Sequence, residues 1–158
     1  MVHSPRTKAS EVLADGALSQ ISGLSSAAKG LPFLINSGNV NMETALAGGQ
    51  GHWVAPCDIR IVGANLVVTE QLGTGAGTIA AGIIPASGTA DPDAIVDDYS
   101  VATSVTAGTA VDLTANAAVT GAAQYGAILP KGTVIYFTSD GGATTTGRAC
   151  LVLIAVPA

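Results

Sequence analysis

Few residues of this 158-residue chain could act as a base at neutral pH, and none forms a recognisable catalytic motif. His3 lies near the N-terminus, so His52 is the histidine that could serve the main part of the chain. Nucleophilic catalysis needs a base beside a nucleophile and a third group that orients the base. Serines and threonines are abundant, but no spacing singles one out as a partner of His52. Glu43 and Glu70 likewise belong to no glycosidase signature. We therefore expect that the chain is not an enzyme and carries no cofactor.

Aspartates are concentrated in one short stretch of the sequence, at Asp91, Asp93, Asp97 and Asp98. Calcium takes several oxygen ligands, and clustered carboxylates on loops of β-domains can supply them. The stretch lacks the ligand spacing of an EF-hand loop, so the favoured interpretation is a solvated acidic loop without metal. If a cation binds anywhere, this cluster is the expected place.

Gly73, Gly75 and Gly77 invite comparison with a phosphate-binding loop. The spacing differs from the dinucleotide fingerprint, no Lys-Ser/Thr pair follows, and the next residues resemble a strand rather than a helix. The glycines therefore predict a flexible loop between strands.

The two cysteines, Cys57 and Cys150, both lie in apolar, strand-like sequence. Two interpretations remain open. They could form a disulfide if their strands were neighbours. The favoured alternative is two reduced, buried thiols, because no secretory signal precedes them.

The elements that would carry these residues are best defined near the C-terminus. Residues 133–138 and 148–156 are rich in β-branched and apolar side chains, and a Gly-rich segment separates them. This pattern predicts a β-hairpin. Val134 to Phe137 and Leu151 to Ile154 are apolar at every position, so both faces of each strand call for burial. We expect that one face packs in the chain's own core and that a partner covers the other.

Five or six further short strands precede this pair, separated by Gly, Pro, Asp and Asn. Ile59 and Ile61 alternate with Asp58 and Arg60, which predicts a half-buried strand, and Gly63 predicts a bulge or bend that lets this strand continue to Thr69. Residues 86–98 read as a long polar loop, and no convincing helix follows residue 30. The pattern predicts an all-β body over residues 31–158, an antiparallel β-sandwich or jelly roll.

Residues 1–30 differ from this body. Leu13, Ala17, Ile21, Leu24 and Ala28 follow roughly helical spacing, but two glycines weaken the pattern. We interpret the segment as an extended or weakly helical arm that is ordered by what it packs on. The alternative is a terminus without a role.

Amino-acid composition limits the classes of partner that the chain is expected to bind. Charged residues make up 11% of the chain, against about 25% in typical domains. Residues 1–30 hold three basic and two acidic residues, and the remainder holds three basic and nine acidic residues. A net charge of -5 without a basic stripe argues against nucleic-acid binding. No signal peptide is recognisable, and the longest apolar run is too short to span a bilayer. We expect no membrane partner.

Aromatic residues make up only 4% of the chain. Scarce aromatic side chains on strands more often anchor a core or a subunit interface than line a sugar site. Together with the apolar positions of the arm, they define the predicted interface, which consists of Leu13, Ile21, Leu24, Trp53, Tyr136 and Phe137.

The order of these parts resembles a known group of proteins. A polar arm precedes Trp53-Val54-Ala55-Pro56-Cys57-Asp58, Ala/Gly/Thr-rich strands follow, and Leu129-Pro130-Lys131-Gly132-Thr133 leads into the last strands. In style and spacing, residues 50–156 resemble head decoration (cement) proteins of tailed bacteriophages with a jelly-roll body. No diagnostic motif is shared, so no site residue is carried over.

The resemblance implies a structural virion protein. It would be made in the host cytoplasm, form a homotrimer and bind the outer surface of the capsid, where it bridges major capsid proteins. The arm would run along the capsid or a sister subunit. The alternative function is a receptor- or glycan-binding module, such as a fibre tip or a lectin-like domain, with a concave aromatic site.

Overall fold

A computed structural model describes residues 31–43, 45, 49–140 and 146–158 of the chain. Over these residues the protein is built almost entirely of β-strands, with one short helix. The strands are β1 (Phe33–Asn36), β2 (Val40–Asn41), β3 (Gln50–Val54), β4 (Ile59–Glu70), β5 (Ala76–Ile84), β6 (Asp91–Ala102), β7 (Ala110–Asp112), β8 (Ile128–Leu129), β9 (Val134–Ser139) and β10 (Arg148–Pro157). The helix is α1 (Ala117–Thr120).

The strands form two antiparallel sheets. Sheet 1 has the order β1-β10-β4-β7, with β2 beside β10 and β8 beside β4. Sheet 2 has the order β3-β9-β5-β6. The pairs β1–β10, β3–β9, β4–β7 and β5–β6 are nested like the two arms of one long hairpin that has been rolled up. Nested pairs divided between two sheets are the arrangement of a jelly roll, so the predicted fold class is confirmed.

The core lies between the two sheets and is filled by aliphatic side chains. Alternate residues of β4 and β10 point inward, as the two-residue period of a strand requires. Leu66 and Leu151 on these strands are fully buried, and so are Ile135 and Phe137 of sheet 2. These side chains make a single core that holds both sheets together.

The predicted hairpin of residues 133–138 and 148–156 is wrong, because β9 and β10 lie in different sheets. Strand β9 pairs with β3 and β5, and β10 pairs with β1, β2 and β4. The Gly-rich residues between them mark a passage from one sheet to the other. Composition alone does not distinguish such a passage from a tight turn.

The expectation of two-sided burial separates into two outcomes. Five of the six residues of β9 are buried by the chain itself. Strand β10 instead alternates, with its inner row buried and its outer row half-buried. The chain therefore buries both faces of β9 by itself, and only β10 leaves an apolar row that a partner could cover.

Residues 86–98 are not one long loop, because β6 begins at Asp91. Its pairing with β5 is irregular: Ala81 faces Val96, whereas Ile83 faces Asp91. Three extra residues of β6 must therefore bulge out of the ladder. The polar composition of this stretch is typical of a loop, but it here belongs to a strand whose outer residues face solvent.

The predicted irregularity at Gly63 is confirmed. Ile154 pairs with Gly63 and Ala155 with Ile61, which leaves Val62 as the extra residue of a bulge in β4. A Cβ at position 63 would lie 3.0 Å from Ile154 Cδ1, so glycine lets the Ile154 side chain lie across the strand.

Helix α1 was not predicted from the sequence. Asn116 caps it, since its side chain accepts a hydrogen bond of 2.9 Å from the Ala118 amide. The helix is a single turn, too short to produce a helical period. The arm of residues 1–30 lies outside the described residues, and its interpretation stays a prediction.

Candidate interaction surface

The outer face of sheet 1 is the main apolar surface that the described residues leave open. Leu34 of β1 lies opposite Ile154 of β10, and cross-strand partners point to the same side of a sheet. In the next row, Arg60 of β4 lies between Val156 and Ile128. We call this surface the open face and define it by Leu34, Val62, Ile128, Ile154 and Val156.

Exposure supports this assignment. Leu34 is 67% exposed, Ile128 53% and Val62 40%. Ile154 and Val156 are half-buried by their neighbours. Large apolar side chains that are contiguous on one face mark interaction surfaces more often than isolated ones do.

The middle of the outer face of sheet 2 contrasts with the open face, because the chain covers it. The irregular start of β6 passes so close to β5 that a Cβ at position 82 would overlap the Asp91 carbonyl oxygen. Tyr136 and Thr138 of β9 are buried although they point away from the core residues Ile135 and Phe137. The asymmetry between the two sheets identifies the face at which burial is incomplete.

Charge is sparse on the open face. Arg60 is exposed and occupies the row between two apolar residues. The next charges on this side of the sheet are Asp112 of β7, which lies opposite Asn65, and the pair Glu70 and Arg148, whose side chains form an exposed ion pair of 3.3 Å at the far end of β10. A partner that reached β7 would bury an acid, whereas one confined to the open face would not.

A second apolar surface borders the open face at the side where β1 and β3 are the outermost strands. The rings of Phe33 and Trp53 lie 5.7 Å apart and close the gap between the sheets. Leu31 before β1 is 61% exposed. Val54 is 59% exposed, but it lies opposite Val134 and so points to the outer side of sheet 2, away from the rings. We call Leu31, Phe33 and Trp53 the edge surface. Among the described strands, β1 and β3 each pair on one side only.

The six predicted interface residues fall into three groups. Leu13, Ile21 and Leu24 lie outside the described residues. Trp53 belongs to the edge surface, where it is half-buried. Phe137 is fully buried in the core, and Tyr136 is 5% exposed beneath a stacked His52 ring at 5.7 Å. The last two therefore present almost no surface to a second chain.

Sequence reasoning missed the members of the open face on β1, β4 and β8. For β10 the sequence did indicate an apolar outer row, because Leu151 to Ile154 are apolar at every position. Leu34 and Val62 sit in runs that alternate less clearly. Ile128 directly precedes Leu129-Pro130-Lys131-Gly132, whose Pro and Gly indicate a turn, and its pairing with β4 places it on the sheet.

Three of the four clustered aspartates, Asp91, Asp93 and Asp97 of β6, line a shallow cavity of about 210 Å³ together with residues 121–123. A hydrogen bond with Asp93, together with burial, raises the pKa of Asp91 above its ordinary value. Burial and the charges of Asp97, Asp93 and Asp140 raise the pKa of Asp98. Within the described residues, no group of three His, Cys, Asp or Glu side chains could hold a metal ion.

The remaining candidates for chemistry are dispersed. His52 is exposed and stacks on Tyr136. Cys57 lies between β3 and β4, and Cys150 lies in β10 and donates a hydrogen bond of 3.0 Å to Asn36 Oδ1. The two cysteines are not joined in a disulfide, and both are half-buried rather than fully buried.

None of the helices described for this chain is both long and apolar enough to cross a membrane. Comparison of the chain with known protein families, with curated proteins and with solved structures finds no match.

Proposed function

We propose that this protein is a structural virion protein that binds the outer surface of an assembled phage capsid and stabilises it by bridging major capsid proteins. The observation that carries the proposal is the open face. The middle of sheet 2 is covered by the chain itself, whereas sheet 1 leaves Leu34, Val62 and Ile128 exposed. A subunit with such an unfinished surface suits an assembly.

The compact β-body also suits this role. A decoration protein must withstand the same conditions as the shell, and a two-sheet core with few charges depends little on ionic strength. Binding to the assembled lattice but not to free capsid subunits adds to shell stability by mass action. Three linked copies increase the effect, because the first contact raises the effective concentration of the others.

The proposal assigns no enzymatic activity to the chain and no nucleic acid or membrane as a partner. Its two partners are the major capsid protein and other copies of itself in a homotrimer. It places the protein on the outer capsid surface of the virion.

The glycan-binding alternative would need aromatic faces exposed in a concave site. Several of the aromatic side chains of the described residues are engaged elsewhere. Trp53 packs against Phe33, Tyr136 lies beneath His52, and the Tyr125 hydroxyl donates to the Val62 carbonyl at 3.0 Å. The alternative therefore serves as an outcome of the test rather than as a second proposal.

The test is to mix the purified protein with empty capsid shells of its own phage and to sediment the shells. We expect saturable co-sedimentation, no binding to unassembled capsid protein, and a higher melting temperature of the decorated shell. Cryo-EM of the decorated shell would then locate the density at junctions between capsid proteins.

Failure to bind shells, combined with sugar-specific signals on a glycan array, would replace the proposal by the glycan-binding function. A variant with Ser87→Asp in the exposed loop after β5 serves as the matched control and is expected to bind shells like the parent protein.

A further inference from the structure

We draw no further inference here: the strongest candidate, the open face of sheet 1, where Leu34, Val62 and Ile128 are exposed, is an apolar sheet face, and nothing in the structure shows what covers it.

Discussion

At the scale of single residues, the acidic cluster of β6 is a cost to the folded chain. Asp98 adopts a backbone φ of 38°, the left-handed region that few side chains other than Asn, Asp and Gly enter readily. The negative charges that act on Asp98 are those of Asp97, Asp93 and Asp140. The irregular first half of β6 thus brings several carboxylates together.

The raised pKa of Asp98 predicts how its replacement acts. A raised pKa means that the folded chain holds the proton more tightly than the unfolded chain, so stability falls as pH rises past the ordinary aspartate value and through the raised one. Asp98→Asn removes the charge and keeps a residue that tolerates positive φ. We expect it to stabilise the protein at about pH 7 and to have little effect at about pH 3, where the aspartate is protonated. Urea unfolding at both pH values measures the difference.

Asp112→Asn is the control, because its effect on stability is expected to be opposite to that of Asp98→Asn. Hydrogen bonds from the Thr114 backbone and side chain lower the pKa of Asp112. The charged form of this carboxylate therefore stabilises the fold above the ordinary pKa, and the contribution is lost as pH falls through the lowered value. A stabilising Asp112→Asn, or a destabilising Asp98→Asn at about pH 7, would contradict these assignments.

At the scale of elements, β10 owes its continuity to a side chain in the gap between β1 and β2. Ser37 follows β1, is 4% exposed, and accepts a hydrogen bond of 2.9 Å from the Leu151 amide through its hydroxyl oxygen. Its own amide donates to the Leu151 carbonyl at 2.9 Å. The serine thus completes the ladder where the neighbouring strand is interrupted.

Ser37→Ala should leave the buried Leu151 amide without this acceptor. We expect a loss of about 1–3 kcal/mol in the free energy of unfolding, the usual cost of a buried unpaired polar group. Guanidinium unfolding of the variant measures it. The exposed Ser100→Ala in β6 is the control and should change stability by less than about 0.5 kcal/mol. Equal effects of the two changes would show that the Ser37 hydroxyl contributes nothing to β10.

The sequence predicted most of the strands, because β-branched and aromatic runs separated by Gly and Pro leave few alternatives. It did not predict which strands pair with each other. The run from Ser139 to Arg148 has the composition of a turn, yet it connects two sheets. Which strands become neighbours depends on contacts between residues as distant as Phe33 and Ala155, and no local pattern encodes those.

At the scale of the whole molecule, the nested strand order explains why one surface is left open. The irregular first half of β6 supplies the cover of sheet 2, whereas none of the described segments crosses the middle of the open face on sheet 1. The sequence predicted that apolar surface would be left over. It could not predict which strand would carry it, because that depends on how β6 bulges.

Self-association through the open face should depend on salt in the way that the burial of apolar surface does. Simple salts screen charges, and few charges lie on the open face, so raising sodium chloride from about 0.05 to 0.5 M is expected to leave the oligomer intact. Sodium sulfate should strengthen association, because it is excluded from protein surfaces. Analytical ultracentrifugation across both series measures this. Dissociation of the oligomer by sodium chloride would indicate an interface held by charge instead.

The pairing of β1 with β10 has a mechanical consequence. Phe33 and Ala155 face each other across one strand spacing, so the first and last described strands run side by side and antiparallel. A pulling force applied to the two neighbouring ends would open their backbone hydrogen bonds one after another, like a zipper, instead of loading them together in shear. When tension enters through these ends, β1 is therefore the first strand to peel away, well before the sandwich itself yields.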